Sequence, residues 1–490
     1  MTVDPPEKKK VIMLFIDTLM DCTLQEAIKS GKAPVFQFFI KNGYKVPNMV
    51  SPFPTMSVNV DSTLITGVYS DQHKIPGLVW FNKKENRIVN YGSHVRELIK
   101  LGLKQSMEDI FYHLNHSHLS KKQKTIHELL MEKEIETASI NTLLYRGSQP
   151  TQITFPFLMS LFTGIKRNKV ANAPYVLSYG AMARLNPTKR YSLFWQKYGF
   201  NDKFTAKELK YLIEREMLPA LTIAYFPDLD QHIHKKGRMN TNGIKKVDKE
   251  LQKILNTYHS WEEALTNHIW IILGDNGQAW IDQNRHAALI DLRKLLHMYQ
   301  IPKLKDGIRP SDQVVLGVNE RMAFIYTLDS KIVPLEDLAN VLKKDERIDV
   351  IAWKKGNAII VISGIQDGQL TFHPDGEFKD EYGQSWNIEG DIELLDLSMN
   401  EKTIRYKDYP DALARLHTAF FSHEGDYVVV SAKPGHEFIG EGSPTHVGGA
   451  SHGGLHAQDS LVPMIVTGTN TKPKNLRMID VKDWILSLIL

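Results

Sequence analysis

The chain has 490 residues, 42% of them hydrophobic and 24% charged, with 60 Lys plus Arg against 56 Asp plus Glu and a formal net charge of +4. Ordinary apolar content with so small a net charge excludes intrinsic disorder as the main state, and the length suffices for a large buried core. The charge balance is too weak to mark a nucleic-acid polymer or a membrane surface as the partner.

In chain order, Lys8, Lys9 and Lys10 precede the apolar run Val11–Ile16, which Asp17 interrupts after six residues. That run is too short for a secretory signal or a membrane span. It predicts a buried strand behind a mobile leader, in a soluble, cytoplasmic protein. Asp17 then reads either as a loop or helix-capping aspartate or as a carboxylate whose desolvation a cation would offset. Cys22, the single cysteine, permits no intramolecular disulfide and no Cys-rich zinc module, so any metal must be held by His, Asp, Glu or hydroxyl oxygens.

Pro52–Gly77 contains Thr55 and Ser57 ahead of the helix-like run Val58–Gly67. On local pattern alone Ser57 reads as a helix N-cap, although a hydroxyl at a helix N-terminus is also a natural phosphate-binding and nucleophile position. Further unbroken apolar runs follow at Ala138–Asn141, Leu221–Phe226, His268–Leu273, Tyr427–Ser431 and Val462–Thr467. Such runs are what parallel strands covered on both faces look like. Helical stretches between them, at Thr125–Lys133, Ala206–Met217 and Val247–Ala264, predict a doubly wound, mostly parallel α/β sheet. Pro302–Lys407 reads differently: strands at Gln313–Val318 and Arg321–Thr327 flank an Asn319-Glu320 turn, a helix covers Pro334–Lys344, and strands follow at Asp349–Trp353 and Asn357–Ser363. The charged stretch Asp375–Glu381 reads as a linker. The expectation is a small α+β subdomain, residues 301–410, inserted between core segments 1–300 and 411–490.

Two further clusters follow predicted strands. Phe226–Gly237, FPDLDQHIHKKG, holds two overlapping Asp-x-x-x-His pairs, Asp228 with His232 and Asp230 with His234. Either spacing puts both side chains on one helical face, a two-ligand clamp with zinc-compatible donors. Asp275 follows the strand His268–Leu273, and His452 and His456 lie in a glycine-rich loop, with His446 nearby as a substitute. Ligands in open α/β sheets gather outside the carboxyl ends of strands.

Taken together, the strand-terminal Asp17, the Pro54-Thr55-Met56-Ser57 motif, the downstream Thr66-Gly67-x-Tyr69-x-x-x-His73 motif, Asp230-x-x-x-His234-x-x-Gly237, Asp275-x-Gly277 and Ser451-His452-Gly453-Gly454 resemble the alkaline phosphatase superfamily, and within it the type I phosphodiesterase/nucleotide pyrophosphatase family. The resemblance spans Val11 to Val466. It implies a metal-dependent hydrolase of phosphate diesters, monoesters or phosphonates that works through a phosphoryl-serine intermediate at two divalent ions, zinc first and manganese as the alternative. Ser57 would be the nucleophile and, with Asp17, Asp275 and Asn276, hold one ion; Asp230, His234 and His452 would hold the other. His234 lies three residues before Gly237, which selects its register over Asp228 and His232. Thr55, Trp80 and Asn82 would serve the substrate, Asn82 standing in for a phosphate-binding Asn that relatives place near Leu78. One departure stands out: Asn276 replaces the usual metal-binding histidine and offers only an amide oxygen, which suits harder cations. The departure leaves open a non-catalytic phosphate- or nucleotide-binding homologue with a degraded second site. A phosphate-transferring mutase on the same scaffold is a further alternative. The sulfatase branch is disfavoured, because Cys22 lacks that branch's nucleophile motif.

Overall fold

The computed structural model describes residues 8–490; residues 1–7, most of the expected leader, lie outside the described residues. A seven-stranded sheet forms the centre. Its strands in chain order are β1 (Lys10–Ile16), β2 (Tyr44–Val50), β3 (Thr137–Ile140), β4 (Val176–Ser178), β5 (Leu221–Phe226), β6 (His268–Gly274) and β7 (Leu461–Thr467), arranged β2-β7-β6-β1-β5-β3-β4. The pairs β1/β6, β1/β5, β3/β5 and β3/β4 are parallel, and β7 alone runs against its neighbours.

The unbroken apolar runs have the expected cause. Val11, Met13 and Phe15 enter one core with Val60, Leu64 and Ile485. Ile12, Leu14 and Ile16 enter a second core on the opposite face with Phe36, Val247 and Leu251. Both faces of β1 are therefore buried, so neither parity of residue can be polar. The helices that supply these faces include α1 (Ser57–Thr66), α2 (Asp202–Glu214), α3 (Asp228–Lys236) and α4 (Thr241–Leu255).

Register decides where the chemistry lies. Ile16 pairs with Gly274 on one side and Phe226 on the other. Three strands thus end level, and the residues that follow them, Asp17, Asp275 and the start of α3, emerge at one edge of the sheet.

A second, nine-stranded sheet is antiparallel apart from one pair and spans residues 314–432. It differs from the sequence reading in three ways. Tyr427–Ser431, expected as a strand of the parallel sheet, lies in the strand Asp426–Ala432, which pairs between Met322–Thr327 and Ile348–Lys355. The chain rejoins the central sheet at Leu461 rather than directly after residue 410. A fully buried strand carries the same apolar signature in either kind of sheet, so the sequence pattern has no means of separating them. The Asp375–Glu381 stretch lies mostly within the strand Leu370–Asp380 instead of forming a linker. The helix expected over Val247–Ala264 also divides: α4 stops at Leu255, and Ser260, whose hydroxyl accepts the Glu263 N–H at 3.1 Å, caps a new helix over Trp261–Asn267.

Candidate active site

Asp17, Ser57, Asp230, His234, Glu320 and His452 line one cavity of about 780 Å³. Each reaches it for a local reason. Asp17 and Asp275 follow level strand ends. Between them, Thr18 adopts a positive φ of 59°, unusual for a β-branched residue and the kind of backbone strain that gathers at functional sites. That conformation aims the Thr18 N–H at Asp275 Oδ1, 2.7 Å away. Thr18 Oγ1 stands 3.0 Å from Asp230 Oδ1 and 3.1 Å from Asn276 Oδ1.

Ser57 is not the N-cap that its local pattern suggested. Met56 occupies the cap position, with no side-chain capping bond, and Ser57 opens α1. Its hydroxyl makes no capping bond and lies beside Asp275 and the unpaired N–H groups and positive dipole end of the helix. Thr55, fully buried, braces the opposite wall. Its carbonyl oxygen accepts from His452 Nδ1 at 2.7 Å and its hydroxyl accepts from the Gly453 N–H at 2.8 Å. This fixes the tautomer of His452 and presents Nε2, which lies 3.9 Å from Asp230 Oδ1.

The two Asp-x-x-x-His pairs part company on α3. His234 donates Nδ1–H to the Ala450 carbonyl at 2.8 Å and places Nε2 3.0 Å from Asp230 Oδ1. Gln278 donates to the same Asp230 oxygen at 2.7 Å. Asp228 instead accepts from Lys197 at 2.9 Å and from the Asp202 N–H at 3.0 Å, while His232 Nε2 meets Lys246 at 2.9 Å. Neither Asp228 nor His232 lines the cavity.

Electrostatics divide the cavity into two halves. Burial pushes the Asp17 carboxyl well above its ordinary range, and the charges of Asp275 and Asp230 add to the effect despite a hydrogen bond from Tyr225. Asp275 is also raised by burial, against hydrogen bonds from the Thr18 and Asn276 N–H groups and the pull of His452. Asp275 Oδ2 is buried with no hydrogen-bond partner. Two carboxylates taken out of water side by side, one with an orphaned oxygen, are what a cation would compensate. In the other half burial also opposes charge, yet Asp230 is held below the usual carboxylate range by His234 and His452. His234, despite burial, is pushed up to about 10 by Asp230 and Glu320. Asp230, His234 and His452 bring their donor atoms within 4.8 Å of one another, as do His234, Glu320 and His446. The residues present therefore fit divalent cations in both halves, oxygen donors in one and mixed nitrogen and oxygen donors in the other.

Five expected residues do not line the cavity: Thr55 and Asp275, which hydrogen-bond His452 and Thr18, and Asn276, Trp80 and Asn82. Asn276 is completely buried, its Oδ1 meets Thr18 and its Nδ2 has no partner. Trp80 packs between His118 and His423, with ring centroids 5.7 and 5.6 Å away. Asn82 accepts the N–H groups of Lys84 and Glu85 in the turn of its own hairpin. Leu78 does line the cavity; Asn319 holds that segment by accepting the Leu78 and Val79 N–H groups at 2.7 and 2.9 Å. His456 caps a short helix outside the cavity. Conversely, sequence reasoning missed Thr18, Tyr225, Gln278 and Glu320. The first three had only their nearness to motif residues as a signal, and Glu320 was read merely as part of a turn.

A doubly wound sheet that gathers acids, imidazoles and a helix-borne serine at one edge defines the class: an alkaline-phosphatase-like hydrolase fold. The sequence profile of the type I phosphodiesterase / nucleotide pyrophosphatase family matches residues 11–454, and the chain belongs to that family. Comparison with curated protein sequences returns no relative. Among solved structures the chain is similar to murine ectonucleotide pyrophosphatase/phosphodiesterase 5, in an inactive variant in complex with AMP (TM-score 0.57, 14% identity, 98% of this chain and 95% of that one). The human protein of the same name aligns at TM-score 0.58 and 14% identity, covering 98% of this chain and 95% of that one. Phosphonoacetate hydrolase from Sinorhizobium meliloti 1021, in complex with phosphonoformate, aligns at TM-score 0.56 and 14% identity over 99% of this chain and 96% of that one. No helix among the described residues is long and apolar enough to cross a membrane.

Proposed function

We propose that the chain hydrolyses small phosphate esters, diesters or phosphonates through a covalent phosphoryl-serine on Ser57. The observation that carries this reading is the meeting, in one cavity, of Ser57 at a helix N-terminus with Asp17 and the Asp230–His234–His452 group. Asp17, Ser57 and Asp275 would hold one divalent ion, and Asp230, His234 and His452 the other, with zinc preferred and manganese the alternative. When bound, such ions supply charge stabilisation for the attacking and leaving oxygens of an in-line displacement. Ser57 Oγ forms the bond to phosphorus as the bond from phosphorus to the leaving oxygen, or to the leaving carbon of a phosphonate, breaks, and Asp275 beside it would take its proton. The unpaired N–H groups at the start of α1 face the anionic phosphoryl oxygens. Water then cleaves the phosphoryl-serine and restores Ser57. AMP and phosphonoformate in the similar proteins support a small phosphorus-containing substrate. A cytoplasmic setting belongs to the same reading, supported by the single cysteine.

The buried, inward-turned Asn276 favours a second reading, a binding homologue whose serine-side ion position has decayed. One experiment separates the two. Purified chain is assayed on p-nitrophenyl phosphate, bis-p-nitrophenyl phosphate and phosphonoacetate, with zinc and manganese supplied separately and Ser57→Ala in parallel. Turnover that disappears in the variant supports the hydrolase; binding without turnover in both proteins supports the homologue.

A further inference from the structure

Next to the Asp230–His234–His452 group stands an acid that none of the motifs accounts for. Glu320 occupies the tip of the hairpin joining Val314–Asn319 to Met322–Thr327, in the second sheet. Its backbone φ is 57°, a left-handed conformation that tight hairpin turns usually assign to Gly, Asn or Asp. Glu134, Glu216 and Glu401 also adopt positive φ, so a distinction for Glu320 must come from its surroundings.

The side chain supplies one. It is only 11% exposed, and Oε1 lies 4.0 Å from His234 Nε2. Oε2 lies 3.9 Å from His452 Nε2 and 3.9 Å from His446 Nδ1. These separations exceed hydrogen-bonding range. The distances to His234 and His452 match donor atoms arranged around a shared ion, since ligands about 2.0–2.2 Å from a cation stand roughly 3–4 Å from one another. Ser451 donates to Oε2 at 2.7 Å and holds the carboxylate in place.

We propose that Glu320 is a fourth protein ligand at the cation position formed by Asp230, His234 and His452, giving it two nitrogen and two oxygen donors. Because His234 commits Nδ1 to the Ala450 carbonyl, only its Nε2 is available. The group of His234, Glu320 and His446 shares that one nitrogen with the Asp230 group, so the two do not each hold an ion through His234. His446 is a positioning residue: buried Glu437 holds its Nδ1 at 2.8 Å, and its ring stacks on His234 with centroids 4.1 Å apart. This inference rests on the metal-dependent reading above and deepens it.

The test is calorimetric titration of the full chain, stripped with a chelator, with zinc and then with manganese, alongside thermal melts with and without zinc. Glu320→Gln is expected to weaken the tighter zinc event at least tenfold, and Glu320→Asp to recover part of the loss. Glu320→Gly removes the acid and relaxes the turn. Its metal-free melting temperature is expected at or above that of the native chain, with a smaller zinc-induced rise. Native affinity, native stoichiometry and the full zinc-induced rise in Glu320→Gln and Glu320→Gly, with Asp230→Ala abolishing the event, would overturn the Glu320 assignment alone. No zinc binding by the native chain, or binding indifferent to Asp230→Ala, overturns both the assignment and the metal-dependent reading.

Discussion

At the level of single residues, the cavity shows how one-turn spacing sorts two nearly identical pairs. Asp230 and His234 face the cavity because α3 presents that stripe to Ala450 and Gln278. Asp228 and His232 lie on a stripe turned to Lys197, Asp202 and Lys246. Replacing Asp230 with Ala should therefore remove cation from the purified protein, whereas Asp228→Ala should leave metal content unchanged and lower stability modestly. Elemental analysis of the two variants with thermal melts checks this, and the reverse order of metal loss would reassign the ligand pair. Asn276 and Asn82 show the limit of a motif at this scale. Their positions in the chain suggested ligands, but each side chain is already engaged by local backbone or by a neighbouring hydroxyl.

Among the elements, α1 carries the most chemistry and is held from behind. His73, buried in the short helix that follows α1, accepts the Ile75 N–H through Nδ1 at 3.1 Å and leaves Nε2 to Thr63 of α1 at 3.2 Å. Burial, the largest cause, lowers its pKa to about 3. In the unfolded chain a histidine takes a proton near pH 6.5. Between about 6.5 and 3 the unfolded state thus binds the extra proton, and the contribution of His73 to stability is lost progressively as pH falls through that window. His73→Asn keeps an acceptor for Ile75 but does not titrate. The difference in melting temperature between the native chain and this variant should shrink from pH 7 to pH 5. A difference that stays constant would show that His73 is not held neutral. The strand ends β1, β5 and β6 work in the same sense: their level register, rather than any one side chain, places Asp17 and Asp275 together.

For the whole molecule, the second sheet completes the site instead of decorating it. Arg321, next to Glu320 and fully buried, donates to Asp459 at 2.8 Å and to the carbonyls of Ala432, Lys433 and His436 at 2.7–2.9 Å. Its own N–H donates to the His452 carbonyl at 2.9 Å, so the hairpin and the histidine loop form one unit. Removing one partner of a buried ion pair leaves the other charge uncompensated. Arg321→Leu should therefore cost about 3–5 kcal/mol in denaturant unfolding; a cost below about 1 kcal/mol would mean that Asp459 finds other compensation. This scale also explains what was legible in the sequence. Strand-terminal acids following unbroken apolar runs, and a Thr55–Ser57 motif ahead of a helix, announce themselves because both strand burial and helix polarity are local. Glu320 does not, because its approach to three histidines depends on how a distant antiparallel sheet docks. The membership of Asp426–Ala432 in that sheet was hidden for a related reason, since burial on both faces erases the difference between parallel and antiparallel partners.

In the proposed reaction Ser57 becomes covalently attached to phosphorus during turnover. Rapid acid quenching during hydrolysis of p-nitrophenyl phosphate, followed by peptide mass spectrometry, tests it most directly. A phosphoryl group is expected on the peptide containing Ser57, mapped to that residue and missing in Ser57→Ala. Turnover with the peptide unmodified, or with the group on Thr55, would contradict it.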